Sequence, residues 1–273
     1  MKIRIHSMSM LVSVFCGLTL VVSNTYPQQV DVAKQFLEYK AKADQGDAVG
    51  QYKVGVGYSN GLGIEKDPTE AVKWYRKAAA QNYPKALYNL GVCYERGWGV
   101  EEDIAESLKW FRKAAALNHP DAQFNLGVCY GTGKGVTEDR VEAAKWFRKA
   151  ADQNHANGQY YLGRSYKYGL GVKEDAAEAL KWYRKSAEQN FALGQIYLGY
   201  AYERADSVSK DYVEAYAWYD LAVGREDEAE MKRIELESKM SREQIAAGKK
   251  RTGELRAQID AKVNEAKLKS AGK

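Results

Sequence analysis

Tyr161, Arg164 and Tyr168 are spaced by three and four residues, and Tyr197, Tyr200 and Arg204 repeat that spacing 36 residues later. On a helix such spacing puts each trio on one face. The chemistry these residue types offer is recognition. Tyrosine combines large apolar area with a polar tip, and a guanidinium pairs with carboxylates or stacks on rings. Both types carry interface energy more often than most. Earlier copies of the same phases hold Lys53, Val56 and Asn60; Asn89, Val92 and Arg96; and Asn125, Val128 and Thr132. Folding alone gives no reason for a change to Tyr and Arg in mid-array. The six residues, with Arg96, are the candidate partner-binding set. Packing of the tyrosines against C-terminal helices is the competing reading.

Bond-making chemistry finds little support. Of the three histidines, His6 goes with the leader, and His119 and His155 share a phase that Tyr83 and Phe191 also occupy. Two isolated ligands one repeat apart cannot share an ion, so packing is expected there and no metal. Ser207-x-x-Lys210 matches the nucleophile motif of penicillin-interacting enzymes, but neither Ser-Asp-Asn nor Lys-Thr-Gly accompanies it. Gly-x-Gly recurs without the strand and helix that a dinucleotide site needs. Cys93 and Cys129 are one period apart. Equivalent positions on stacked helices lie about 8–10 Å apart, beyond the roughly 7 Å Cα limit of a disulfide. Both are expected as buried, free thiols. The expectation is a non-catalytic protein with no cofactor, no metal and no small-molecule substrate.

A repeat sets the elements that must position these side chains. Lys73-Trp74-Tyr75-Arg76-Lys77-Ala78-Ala79 returns from Lys109, Lys145 and Lys181, with a worn copy from Ala217. The tryptophans fall at 74, 110, 146, 182 and 218, a period of 36 without insertion, and such a period marks a solenoid. Ala86, Leu90, Gly91, Cys93 and Tyr94 recur at helical spacing and make a first helix, A. The glycine at the phase of Gly55, Gly91, Gly127, Gly163 and Gly199 costs about 1 kcal/mol within a helix, so close approach of another helix backbone is expected. Gly-x-Gly at 61, 97, 133 and 169 breaks helix A. A second helix, B, begins at Asp-x-x-Glu from Asp67, Asp103, Asp139, Asp175 and Asp211, which fits a capping box whose Glu reaches back. Ala71, Trp74, Tyr75 and Ala78 then face inward, while Lys73, Arg76 and Lys77 point away. The resulting basic strip is balanced by Glu70, Glu106, Glu142 and Glu178, so a solvated face is expected. Weak contact with anionic membrane or cell wall is the alternative.

The pattern A-x-x-x-L-G-x-x-Y, G-x-G-V-x-x-D, A-x-x-W-Y-x-K-A-A over about Asp47 to Val223 resembles Sel-one-like repeats, relatives of tetratricopeptide repeats. The resemblance implies a right-handed superhelix of antiparallel helix pairs with the A helices lining a concave groove. It also implies adaptor work, as exported bacterial members serve as scaffolds and regulators. Some cysteine-rich relatives have been assigned penicillin binding, but they carry a cysteine pair in each repeat, which this sequence lacks.

The expected fold is all-α, a right-handed α-solenoid of five 36-residue helix-turn-helix repeats with helical caps. Residues 1–23 read as a signal peptide, 24–46 as a linker and N-terminal capping helix, 47–223 as the repeats, and 224–273 as a C-terminal helical cap and basic tail. Lys2, Arg4 and His6 precede an apolar run from Met8 to Val22, and Val21 and Ser23 suit a signal-peptidase cut before Asn24. An uncleaved inner-membrane anchor is the alternative. Asp31 falls one period before Asp67, as though starting a cap. Ala205 and Ser207 replace the loop glycines of the fifth copy, and beyond Gly248 the Lys-rich tail reads as a loosely held helix. Trp146 is expected to be buried between neighbours on both sides, and Trp218, near the worn end, less so. The net charge of +5, from 41 basic and 36 acidic residues, does not call for nucleic acid. The expected function is an exported scaffold or regulatory adaptor, periplasmic or secreted, that binds a protein or peptide in its groove. A cell-envelope glycan binder and a penicillin-interacting envelope enzyme are the alternatives.

Overall fold

The computed structural model describes residues 25–271, and every regular element among them is a helix. The leader expected over residues 1–23 lies outside the described residues. No helix of the described residues is long and apolar enough to cross a membrane. The chain divides into two compact units, up to Ala122 and from Gln123, with the boundary inside α6 (Pro120–Thr132).

The first unit holds α1 (Thr25–Asp44), α2 (Ala48–Asn60), α3 (Pro68–Ala80), α4 (Pro84–Arg96) and α5 (Ile104–Ala116). Each packs on the one before it. The second unit continues with α7 (Arg140–Asp152), α8 (Ala156–Lys167), α9 (Ala176–Glu188), α10 (Ala192–Arg204) and α11 (Tyr212–Ala222). From α7 to α11 neighbours again pack in chain order, and α11 then carries α12 (Asp227–Glu237) and α13 (Arg242–Ala271). Helix pairs packed in sequence are the arrangement of an all-α solenoid.

Local chemistry explains where the B helices begin. Asp67, Asp103, Asp139 and Asp175 each accept the N–H three residues on at 2.9 Å, and Asp211 accepts those of Val213 and Glu214 at 2.9 and 3.0 Å. The expected return bond from Glu is replaced. The N–H of Asp67 already donates to the Tyr58 carbonyl, and those of Asp103, Asp139, Asp175 and Asp211 donate to Tyr94, Tyr130, Tyr166 and Tyr202. The glutamates therefore turn outward, and Glu70, Glu106, Glu142 and Glu178 bind Lys73, Lys109, Lys145 and Lys181 at 2.7–3.0 Å. Ser241 and Gln244 make the full reciprocal box at the start of α13.

The recurring helix-A glycine meets an aromatic ring first, and at Gly55 and Gly163 the expected helix backbone is also close, with the Ala71 and Ala179 carbonyl oxygens 3.3 Å from the position of a Cβ. A Cβ on Gly91 would stand 2.5 Å from the Phe111 ring. On Gly55, Gly127, Gly163 or Gly199 it would stand 2.5–2.8 Å from Tyr75, Phe147, Tyr183 or Tyr219. The loop glycines have φ of +62 to +75° at positions 61, 63, 97, 99, 133, 135, 169 and 171. Ala205 and Ser207 keep that left-handed geometry, at +59° and +60°, and bear the strain of a side chain there.

Three expectations about the ends are corrected. α1 begins at Thr25, so Asp31 lies inside the helix, whose Phe36 and Ala43 are buried in a cluster with Val54 and Trp74. The tail is a docked helix of 30 residues, with Leu255 and Ile259 buried in one cluster with Leu198, Trp218 and Leu221. At Gly248 α13 meets the Tyr216 ring, 2.5 Å from the position of a Cβ. Tryptophan burial is accordingly reversed: Trp218 is 3 % exposed, whereas Trp146 is half-buried. Because α13 covers α11, the worn repeat is enclosed.

Candidate partner-binding site

The phases of residues 53, 56 and 60 do look outward. Lys53, Asn60, Arg96, Thr132, Tyr168 and Arg204 are exposed, and Val56, Val92, Val128, Arg164 and Tyr200 are half-buried. Arg96 belongs to the first unit, where its guanidinium lies 4.7 Å from the Trp98 ring centroid.

The other six candidates belong to the second unit and share an aromatic wall. Tyr161 lies 5.1–5.3 Å from Phe124, Phe147 and Tyr160. Tyr160 reaches Tyr197 at 5.3 Å, and Tyr197 reaches Tyr183 at 5.2 Å and Tyr200 at 5.7 Å. Tilted and edge-on rings at these separations attract through their quadrupoles. Arg164 lies 6.0 and 5.8 Å from the rings of Tyr160 and Tyr161, and Arg204 4.9 Å from that of Tyr200. Positive charge is thus held over aromatic faces.

Burial is the main influence on the phenols, and it raises the pKa of Tyr160, Tyr168, Tyr183, Tyr200 and Tyr219. Hydrogen bonds to Tyr197 add to the effect at Tyr160 and Tyr168, and Glu228 adds to it at Tyr200. Arg164 opposes it at Tyr160, Tyr168 and Tyr183, and Arg204 at Tyr168. Those five phenols are therefore held in the neutral form, and Arg164 and Arg204 supply the positive charge beside them.

The competing reading holds for Tyr200, and Tyr197 packs with it against a core cluster that includes Ala229 and Leu236 of α12. Tyr200 donates to Glu228 of α12 at 2.6 Å, with the Lys232 ammonium 5.4 Å from its ring. Tyr168, by contrast, is 52 % exposed. A pocket of about 300 Å³ is lined by Val128, Thr132, Phe147, Tyr161 and Arg164, among others. A second, of about 440 Å³, is lined by Tyr168, Tyr183, Tyr197, Tyr200, Arg204 and Glu228, among others.

The remaining chemical candidates have structural roles. His119 stacks on Tyr88 with centroids 4.8 Å apart. His155 lies against Phe124, and its Nδ1 accepts the N–H of Gly158 to cap α8. Cys93 and Cys129 are buried outside any disulfide, and burial pushes the Cys93 thiol up to about 11. Ser207 lies in the left-handed loop and Lys210 over the Tyr212 ring. Among the described residues no group of three or more His, Cys, Asp or Glu is placed to hold a metal ion.

The basic strip does not simply point away. Arg76, Arg148 and Arg184 donate to the hydroxyls of Tyr94, Tyr166 and Tyr202. Lys77, Lys113, Lys149 and Lys185 lie 3.8–4.5 Å over the centroids of Trp74, Trp110, Trp146 and Trp182. Repeat arithmetic missed Glu228, which comes from α12 outside the period. It also missed glutamine pairs inside the array: Gln81 with Gln51, Gln153 with Gln123, and Gln189 with Gln159, at 2.7–2.9 Å. A signal existed, because both phases change together to Leu87 and Leu117 in the second copy.

The Sel1 repeat model matches residues 48–83, 84–119, 120–155, 156–191 and 192–223. A solved Sel1 repeat protein from Oxalobacter formigenes is 31% identical over 74% of this chain and 85% of its own, with a TM-score of 0.65. A protective antigen present in uropathogenic Escherichia coli strains, displaying an SLR fold, is 26% identical over 87% of this chain, with a TM-score of 0.58. The match covers 59% of that antigen. No curated protein matches this sequence.

Proposed function

Since the chain belongs to the Sel1 repeat family, whose members bind protein partners generally, we propose that it is a non-catalytic interaction scaffold or regulatory adaptor. Its partner is a protein or peptide segment lying along the Tyr/Arg face of α8 and α10. The observation that carries this reading is the clustering of Tyr161, Arg164, Tyr168, Tyr197, Tyr200 and Arg204 in one unit, with Tyr168 and Arg204 exposed. Rigid aromatic anchors beside guanidinium groups are the usual carriers of interface energy. The protein works outside the inner membrane, in the periplasm or beyond it. The support for that location is the basic start, apolar run and small residues at Val21 and Ser23.

The test begins with a pull-down from the native envelope and mass spectrometry to identify the partner. Tyr161→Ala and Arg164→Ala are then compared with Asn89→Ala, each checked for folding. Losing one anchor costs about 2 kcal/mol of binding, roughly thirtyfold in affinity. If the first two bind like the wild type and Asn89→Ala does not, the contact lies in the earlier repeats and the proposal is wrong. For location, the mature chain is expected to begin near Asn24. N-terminal sequencing that finds Met1 intact in the membrane fraction refutes cleavage.

A further inference from the structure

The aromatic that underlies the helix-A glycine is Tyr75, Phe111, Phe147, Tyr183 or Tyr219 in successive copies. Two of its three hydroxyls are used by the fold. Tyr75 bonds Asn89 and Ser59, and Tyr219 donates to Glu203 at 2.9 Å. In the fourth copy the position of Ser59 and Glu203 is held by Lys167, whose ammonium is turned to Asp206. The Tyr183 hydroxyl is left buried with no hydrogen-bond partner, on a residue 3 % exposed. A phenylalanine fills this place at Phe111 and Phe147, so packing does not require the hydroxyl, and burying it unbonded is unfavourable.

Around that hydroxyl stand cations with no anion assigned to them. Arg140, Arg233 and Arg251 of the same unit pair with Glu138, Glu237 and Glu214. Arg164 and Arg204 form no ion pair among the described residues, and the Arg164 Nε is buried without a partner. Arg204 lines the 440 Å³ pocket with Tyr183 and Tyr168. Arg164, one helical turn before Tyr168, lines the neighbouring 300 Å³ pocket and acts electrostatically on the phenols of both tyrosines. Of the other charges facing this space, Lys167 and Asp206 neutralise each other, and Glu228, which accepts from the Tyr200 hydroxyl, forms no ion pair among the described residues. Two guanidinium groups against one carboxylate leave the space net positive.

We propose that the pocket lined by Tyr168, Tyr183 and Arg204, with Arg164 at its side, receives a carboxylate of an acidic peptide segment. The carboxylate accepts from the guanidinium groups and from the Tyr183 hydroxyl, which are the bonds the fold leaves unmade. A charge-assisted bond of this kind is roughly twice as strong as a neutral one. A group of higher charge, such as phosphate, would meet Glu228 and Asp206 on the same rim. The inference rests on the Tyr/Arg face being the binding face.

The test uses the full chain and fluorescence anisotropy with three labelled probes: oligoglutamate with blocked ends, oligoglutamine with blocked ends, and oligoglutamine with a free C-terminal carboxylate. Saturable binding is expected for oligoglutamate, about tenfold or more tighter than for blocked oligoglutamine. Binding of oligoglutamate supports the proposal, whereas binding of the free-ended probe alone shows that the pocket takes a chain end instead of an acidic segment and overturns it. The double variant Arg164→Gln/Arg204→Gln should weaken oligoglutamate binding by about tenfold or more. Tyr183→Phe should weaken it several-fold while its thermal midpoint stays level or rises. Lys85→Gln, an exposed cation of the other unit and outside the candidate set, should change nothing. Equal affinity for blocked oligoglutamine, no saturable binding of either carboxylate probe at millimolar concentration, or an unaffected double variant overturns the proposal. If the native partner is lost on Tyr161→Ala but kept by the double variant, only the carboxylate inference fails. If it is kept by both, the binding face itself is misassigned.

Discussion

Trp218→Ala tests how the array is closed. The indole is 3 % exposed and shares a cluster with Leu198 of α10, Leu221 of its own helix, and Leu255 and Ile259 of α13. Truncating a fully buried tryptophan costs about 3–5 kcal/mol in lost transfer energy and residual cavity. Trp146 is half-buried, with the Lys149 ammonium 3.8 Å from its ring centroid. Part of its area stays in water and part lies under the Lys149 side chain, so Trp146→Ala should cost less, about 2–3 kcal/mol. Urea denaturation of the full chain should place the Trp218→Ala midpoint clearly below that of Trp146→Ala. Leu255→Ala should cost about 2–4 kcal/mol. Combined with Trp218→Ala it should fall short of additivity by at least about 0.5 kcal/mol, since the two side chains share one cavity. A lower midpoint for Trp146→Ala than for Trp218→Ala, or no effect of Leu255→Ala, would refute the idea that α13 seals the last repeat.

Ala205→Gly and Ser207→Gly should each stabilise the chain by about 0.5–1 kcal/mol. The left-handed backbone costs a side chain about 1–2 kcal/mol, and the greater freedom of unfolded glycine offsets roughly half of that. Lower urea midpoints would show that entropy wins. Gly169→Ala should cost about 1 kcal/mol for φ alone, since a Cβ there meets nothing nearer than 3.7 Å. Gly171→Ala should cost about 3 kcal/mol or more, because its Cβ would stand 1.9 Å from the Arg140 carbonyl oxygen. Equal thermal midpoints would refute that steric reading. Burial, before any other cause, pushes the Tyr75 phenol from 10.0 up to about 12. Its folded pKa lies above the unfolded one, so its contribution is whole below about pH 10 and is lost as pH rises towards about 12. Urea midpoints should fall over that window and fall less in Tyr75→Phe; an identical slope would exclude Tyr75 as the cause.

The period of 36 residues, the helix starts and the loop conformations were legible in the sequence because each obeys a local rule. An aspartate meets free N–H groups within three residues of itself, and a Gly-x-Gly turn needs only its own φ angles. Repetition then carries one reading into five copies. The candidate residues were legible for a related reason, since exposure at one helical phase follows from the residues buried at the others. What escaped depends on groups far apart in the chain. Nothing within reach of Gly248 in sequence shows that it meets Tyr216, or that Leu255 and Ile259 enclose Trp218. The tail therefore looked loose until α11 was placed beneath it. The return bond of the capping box depended on whether a carbonyl from the previous helix had already taken the aspartate N–H, as that of Tyr58 does for Asp67. The chemistry of the proposed binding face was decided in the same way. Tyr183 is one more aromatic at its phase in the sequence. In the packed structure Lys167 is turned to Asp206, 39 residues away, the Tyr183 hydroxyl has no hydrogen-bond partner, and Arg164 and Arg204 form no ion pair among the described residues. Local rules set backbone conformation, whereas hydrogen-bond satisfaction is settled among neighbours in space, and those are known only once the helices are packed.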